Sequence, residues 1–256
     1  MSASLICELV NNTRITEEYF ILQFTWEHQA PKAGQFFMIR PLRTSVFLPR
    51  PIGIFDYNHN SRIVKFLIAK RGRGTQELSQ LYTGEKVQLT GPAGNCWSDF
   101  LPENKNIALV GGSAGIAPLS ALVSENRDYH FYFFAGFKHG FRGKEEEELI
   151  LGAGSRARKI VITAEDGKNA LIGKIVDFIF EPENYDAVFA CGPVPMLNAL
   201  KKKCDVKKIP CFISLESRLA CGTGVCLGCS IKTVNGYRRC CKDGPIFNAR
   251  EVIFNE

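Results

Sequence analysis

Over residues 5–89 the chain alternates short apolar runs with turn residues. The runs are Tyr19-Phe-Ile-Leu-Gln-Phe-Thr-Trp26, Gln35-Phe-Phe-Met-Ile-Arg40, Ile63-Val-Lys-Phe-Leu-Ile-Ala69 and Lys86-Val-Gln-Leu89. β-branched and aromatic residues dominate them, and Pro and Gly punctuate them at regular spacing, which predicts an antiparallel β-barrel over residues 1–100. After Pro102 the pattern changes. Apolar strands such as Ile107-Ala-Leu-Val110 and Asp186-Ala-Val-Phe-Ala190 now alternate with helical periodicity, so residues 101–210 are predicted to form an α/β parallel sheet with crossover helices. The densest apolar run, His130-Phe-Tyr-Phe-Phe-Ala-Gly-Phe137, reads as a buried strand and falls well short of the roughly 18 residues of a spanning helix. Residues 211–256 form a third, small module rich in cysteine. The expected fold class is therefore multi-domain α+β.

Length and composition support this division, since 256 residues of which 45% are hydrophobic can fill two cores and an appendage. The first ten residues lack a basic stretch followed by an apolar core, so the ten cysteines point to a reducing, cytoplasmic setting and not to a disulfide scaffold. The net charge of +6 is diffuse except for Lys201-Lys-Lys-Cys-Asp-Val-Lys-Lys208. No aromatic stacking platform accompanies that run, which reads as a solvated helix end; neither nucleic acid nor membrane is an expected partner. The acidic run at 145–148 reads as the exposed first turn of a helix. His28, His59, His130 and His139 show no metal-ligand spacing.

Candidate chemistry concentrates in four places. Cys221-Gly-Thr-Gly-Val-Cys226-Leu-Gly-Cys229 has C-x4-C-x2-C spacing, with Cys240 and Cys241 eleven and twelve positions later. A glycine-rich loop of this kind wraps thiolates around a [2Fe–2S] cluster, whereas structural zinc sites pair C-x2-C knuckles. On spacing alone the fourth thiolate is either Cys240 or Cys241. Arg50, locked between prolines in Leu48-Pro-Arg50-Pro51-Ile52-Gly53, is placed to meet a phosphate or ring oxygen. Gly72-Arg-Gly74-Thr75, leading into a helical segment, is either a pyrophosphate cradle or an ordinary strand-to-helix turn. The turn at Gly111, Gly112, Ser113 and Gly115 is open to the same two readings, diphosphate approach or tight packing. Cys191-Gly192-Pro193 ends a strand at the edge where open sheets bind ligands. No histidine is placed to activate Cys191, so it reads as a site-lining thiol and no catalytic residue is assigned.

Taken together these motifs resemble the ferredoxin-NADP reductase superfamily, with Gly53 standing where its Arg-Pro-x-Ser strand has serine. The resemblance implies FAD held by Arg50, Pro51, Ile52, Gly53, by the strand end Leu67, Ile68, Ala69, and by Gly74 and Thr75. Gly91-Pro-Ala-Gly-Asn95 would close that domain. It further implies NAD(H) bound with Gly111, Gly112, Ser113 and Gly115 at the diphosphate and Cys191 and Gly192 near the nicotinamide. Thr163-Ala-Glu-Asp166-Gly167 and Gly173-Lys-Ile-Val176 resemble that family's Asp-Gly loop and following helix. Arg156, Arg158, Lys138 and Arg142 form no convincing 2′-phosphate cluster, so NADH is expected over NADPH.

Glu216-Ser217-Arg218 before Cys221, and Cys241-Lys242-Asp243-Gly244-Pro245 after it, resemble the electron-transfer subunit of NAD-dependent (type B) dihydroorotate dehydrogenase. That resemblance selects Cys241 to join Cys221, Cys226 and Cys229 as cluster ligands. It also implies a separate FMN-containing catalytic subunit, two of each chain in a heterotetramer, and electrons passing from that FMN through cluster and FAD to NAD+. The same modules also fit a subunit of a hydrogenase, sulfur reductase or transhydrogenase-like complex, or a redox-sensing module without turnover.

Overall fold

The computed structural model describes residues 3–43, 45–126, 128–140, 143–179 and 185–254; Arg142 lies outside them. The first part contains β1 (Ala3–Arg14), β2 (Tyr19–Thr25), β3 (Phe36–Pro41), β4 (Arg50–Gly53), β5 (Asp56–Asn58), β6 (Ile63–Ala69), helix α1 (Arg73–Ser79) and β7 (Lys86–Ala93). Its antiparallel sheet runs β4-β3-β7-β1-β2-β6-β5, so the two edge strands are consecutive in the chain and the sheet curls into the expected barrel. The interior is aromatic: Phe37 meets Trp26 edge-on at 4.8 Å and Phe66 at 5.5 Å between ring centroids.

The second part contains β8 (Asn106–Gly112), α2 (Ile116–Glu125), β9 (His130–Phe137), α3 (Lys144–Ala153), β10 (Lys159–Ala164), β11 (Leu171–Ile172), β12 (Ala187–Cys191), α4 (Val194–Lys207) and β13 (Cys211–Ser214). β11, β10, β9, β8, β12 and β13 pair in parallel in that order. Alternate residues of each strand enter different cores. Leu109, Phe133 and Phe189 pack on the α2 face with Trp97, while Val110, Phe134, Ala190 and Ile213 pack on the face shared with the cysteine-rich segment. A sheet covered on both sides needs apolar residues at every position, which is why these strands read as unbroken hydrophobic runs.

Two features depart from the sequence-based expectations. Glu146, in the acidic run, is buried because α3 turns it inward, towards Tyr19. The helix expected after the Asp-Gly loop is only a 3-10 turn, Ile175–Asp177, with Ile175 packed on Gly136 of β9.

The last part adds a hairpin of β14 (Ser230–Thr233) and β15 (Gly236–Arg239), the single-turn helix α5 (Cys240–Asp243), and β16 (Ile246–Asn248). β16 pairs antiparallel with β13, matching Ile213 with Phe247, and becomes the seventh strand of the second sheet. The barrel's closing turn grips the same segment: Asn95 Nδ2 donates to Ile246 O (2.8 Å) and Ile246 N–H donates to Asn95 Oδ1 (3.0 Å). Trp97 stacks on Phe189 of β12 at 5.1 Å. All three parts therefore converge on one line between β4, β12 and β16. Among the described residues no helix is long and apolar enough to cross a membrane.

Candidate functional site

A cavity of about 280 Å³ opens along that line. Pro51, Ile52, Gly53, Leu67, Ile68, Ala69 and Thr75 line it from the barrel, and Ala117 and Pro118 of α2 face them. Its far wall holds Cys191, Ser214, Glu216, Ser217, Leu219 and Cys240. Arg50 and Gly74 stand behind the barrel wall. A Cβ on Gly74 would come within 2.8 Å of Arg50 Cδ and Nε, so glycine is what lets the first turn of α1 lie on the guanidinium. Arg50 Nη2 donates to Leu48 O (2.6 Å), while its buried Nε has no partner among the described residues. A half-buried guanidinium whose enclosed Nε lacks a partner, beside a glycine turn, suits an anionic group. Thr75 Oγ1 fixes that turn, accepting from the backbone N–H of Arg71 (2.9 Å) and Gly72 (3.2 Å).

Cys191 is fully enclosed. Burial, reinforced by Glu216 and only partly relieved by a hydrogen bond to Ser214, pushes its thiol well up, so it stays protonated and is unsuited to nucleophilic attack. Sequence reasoning missed Glu216, Ser217 and Cys240 as cavity residues. All three lie inside motifs quoted for the cysteine loop, but nothing in their spacing shows that the loop folds back onto the barrel.

A second cavity, of about 730 Å³, lies at the carboxyl ends of the parallel strands, where open sheets hold ligands. Gly112 and Ser113 line it, as do Pro193 and Met196. The glycines of the two turns interlock. A Cβ on Gly112 would meet Pro193 Cδ at 2.7 Å and Met196 Sδ at 2.8 Å, and one on Gly115 would strike the Cys191 carbonyl group. Close packing thus requires both glycines. Gly111 is held against Ile116 in the same way, and Gly192 adopts φ +157 beside Gly112. Ser113 carries φ +54, and its hydroxyl is shared between Tyr19 OH (2.7 Å) and Arg71 Nη2 (2.9 Å). Burial raises the Tyr19 phenol above its ordinary value. Lys138 reaches this cavity. Arg158 instead bonds His130 Nε2 (2.7 Å), and Arg156 points to Ser124 O (3.5 Å).

The cysteines gather in two pairs. Cys229 and Cys241 have sulfurs 3.3 Å apart. Although burial opposes it, hydrogen bonds from Cys226 and Thr223 hold the Cys221 thiol down to about 5, a thiolate at neutral pH. Cys241 also feels the charge of Cys221, which ties the pairs together. Among the described residues no three of His, Cys, Asp or Glu converge on one point, as a single ion requires. Two thiols and two thiols fit the two irons of a [2Fe–2S] group. Cys240 turns the other way, bonding Ser217 and lining the first cavity, with burial lifting its thiol to about 12. Arg239 braces the loop, donating through Nη1 to Gly224 O (3.2 Å) and through Nε and Nη2 to the Asp243 carboxylate (2.9 Å each). That pairing holds Asp243 down to about 2.

Comparison with known proteins agrees with this geometry. Residues 216–253 match the family model described as the iron-sulfur cluster binding domain of dihydroorotate dehydrogenase B. The chain is 35% identical over 251 residues to the dihydroorotate dehydrogenase B (NAD(+)) electron transfer subunit of Caldanaerobacter subterraneus, covering 96% of this chain and 97% of the relative. It is 33% identical to the protein of the same description from Clostridium acetobutylicum, covering 97% of each. Among solved structures, an NADH-dependent reduced ferredoxin-NADP oxidoreductase shares the fold with TM-score 0.78 at 22% identity, covering 99% of this chain and 91% of that one. A ferredoxin NADP+ reductase from Neisseria gonorrhoeae also shares the fold, with TM-score 0.65 at 15% identity, covering 79% of this chain and 91% of that one. The chain belongs to the family of electron transfer subunits of NAD(+)-linked dihydroorotate dehydrogenase B.

Proposed function

We propose that this chain carries electrons released by dihydroorotate oxidation in a catalytic partner subunit to NAD+. The observation that carries the reading is a shared wall: Cys240 lines the first cavity, and the next residue, Cys241, faces Cys229 in the cysteine group. A nicotinamide exchanges electron pairs, a [2Fe–2S] cluster passes one electron at a time, and a flavin does both.

The residues divide this work by position. Arg50 and the turn at Gly74 and Thr75 bind the FAD diphosphate, while Pro51, Ile52, Gly53, Leu67, Ile68 and Ala69 shape a dry slot for its ring. Backbone groups of Gly53 replace the hydroxyl that the reductase pattern has there. Gly111, Gly112, Ser113 and Gly115 receive the diphosphate of NAD(H), and Cys191 and Gly192 position its nicotinamide against the flavin slot. Cys221, Cys226, Cys229 and Cys241 hold the cluster. Exposed Val225 and Leu227 flank exposed Cys226 and form the face that meets the partner. The partner carries FMN, the assembly is a heterotetramer of two chains of each kind, and it resides in the cytoplasm.

Anaerobically purified protein should contain about one FAD, two iron and two acid-labile sulfides per chain. Mixing with the catalytic subunit should make dihydroorotate oxidation dependent on NAD+. Flavin without iron, or turnover that does not respond to NAD+, would refute the reading.

A further inference from the structure

Arg71 belongs to both cavities. Its backbone N–H is fixed by Thr75 Oγ1 (2.9 Å) within the turn beside the first cavity. Its side chain crosses to the glycine turn 42 residues on and donates Nη2 to Ser113 Oγ (2.9 Å). It lines the first cavity and the second alike. Ser113, in the glycine turn, holds φ +54, a conformation that costs an L-residue about 1 kcal/mol. That backbone aims its hydroxyl at Arg71 and at Tyr19 OH (2.7 Å), joining barrel to sheet. Glu18 and Glu146 also line the second cavity, as do Lys70, Lys174 and Lys203, so the wall carries both signs of charge. Among the described residues, Arg71 is the cation on that wall bonded directly to the glycine turn.

We propose that Arg71 is a guanidinium shared by the two dinucleotide sites, pairing with the diphosphate of NAD(H) and thereby coupling its binding to that of FAD. The inference rests on the reading of the two cavities given above. A neutral hydroxyl offers Arg71 one acceptor. A diphosphate at the glycine turn offers charged oxygens in the paired arrangement that a guanidinium fork matches, so Arg71 moves from Ser113 to the ligand. FAD on the Gly74 and Thr75 turn holds the backbone from which that side chain extends, so each ligand finds Arg71 better placed when the other is bound. Such coupling acts equally in both directions.

The test uses FAD-loaded full-length chain and two probes, ADP-ribose, which keeps the diphosphate, and adenosine, which lacks it. Calorimetric titration should show Arg71→Ala binding ADP-ribose about tenfold more weakly than the unaltered chain, the loss of one charge-assisted contact, with adenosine unchanged. Arg71→Lys, a point charge without the fork, should fall between. Flavin fluorescence on dilution should show saturating ADP-ribose slowing FAD release about fivefold in the unaltered chain and leaving Arg71→Ala unaffected. Equal ADP-ribose affinity in the two proteins, an equal loss for adenosine, or the same slowing in Arg71→Ala would each overturn the proposal. Failure of the unaltered chain to bind ADP-ribose would instead remove the nucleotide site itself, and this inference with it.

Discussion

Replacing Gly115 with alanine tests how the two turns of the nucleotide cavity fit together. The added Cβ would lie 2.5 Å from the Cys191 carbonyl carbon and 2.9 Å from Gly192 N. Carbon atoms in contact sit about 3.5–4.0 Å apart, so the turns must separate by about 1 Å. Neither side yields easily. The obstacle is backbone at the end of β12, where Cys191 pairs with Gly111 of β8 on one side and Ser214 of β13 on the other. Overpacking of this kind costs about 3 kcal/mol, the upper end for an inserted methyl. For a chain of this size that lowers the melting temperature by about 6–12 °C. A misplacement of about 1 Å between reacting groups also slows a positioned reaction about a hundredfold. Scanning calorimetry and stopped-flow reduction of the bound flavin by NADH read the two effects separately. Gly72→Ala is the control, because its φ of −167 is ordinary extended backbone and nothing lies within 4 Å of the added methyl. It should melt within about 2 °C of the unaltered protein. Gly115→Ala with unaltered melting and flavin reduction, or both variants falling together, would refute this account.

Three further predictions follow from particular side chains. Cys241→Ala should lose its iron and its visible cluster absorbance while Cys240→Ala keeps both, since only Cys241 faces Cys229 at 3.3 Å; the reverse pattern would show that Cys240 is the ligand. Arg50→Lys should bind FAD about tenfold more weakly in a fluorescence titration, because an ammonium cannot reproduce the guanidinium packed across Gly74, and undiminished affinity would count against the flavin cradle. Although Glu125 as a residue is exposed, desolvation of its carboxyl end at the barrel contact lifts it from 4.5 to about 7, against the hydrogen bond it accepts from Ala33 N–H (2.8 Å). The folded chain therefore holds this proton where the unfolded chain has lost it. Stability should decline as pH rises from about 4.5 through 7, and Glu125→Gln should flatten that slope in urea titrations.

The strands were legible because their periodicity is local. His130-Phe-Tyr-Phe-Phe-Ala-Gly-Phe137 coincides with β9, and the switch from barrel to parallel sheet after Pro102 follows from the change of pattern. The motif residues that gather round the first cavity, from Pro51 to Thr75, were visible for the same reason. Contacts made by folding across domains left no such trace. Arg71 and Ser113 are 42 positions apart and Tyr19 and Ser113 are 94 apart, with no repeat connecting them. Glu146 sits in an acidic run whose composition suggests solvent, yet helix geometry turns one member of the run inward. The two neighbouring thiols Cys240 and Cys241 differ only in direction, and a one-residue step on α5 sends them to opposite sides of a wall. The three residues of β16 were too few to announce a strand, and their pairing depends on a sheet edge formed by residues more than thirty positions earlier.

That last strand bears on how such a chain can be inherited and rearranged. An iron–sulfur segment appended as a bead on a tether could be cut away or transplanted onto another reductase with little consequence. Here β16 closes the β13 edge, and Asn95 of the barrel holds Ile246 from the other side. Truncation before the cysteine loop would uncover a row of unpaired backbone groups on the remaining sheet, the kind of edge through which chains aggregate. The cluster-bearing tail is thus a keystone of the nucleotide fold, and gene fusions or deletions that exchange it must also supply a strand for β13.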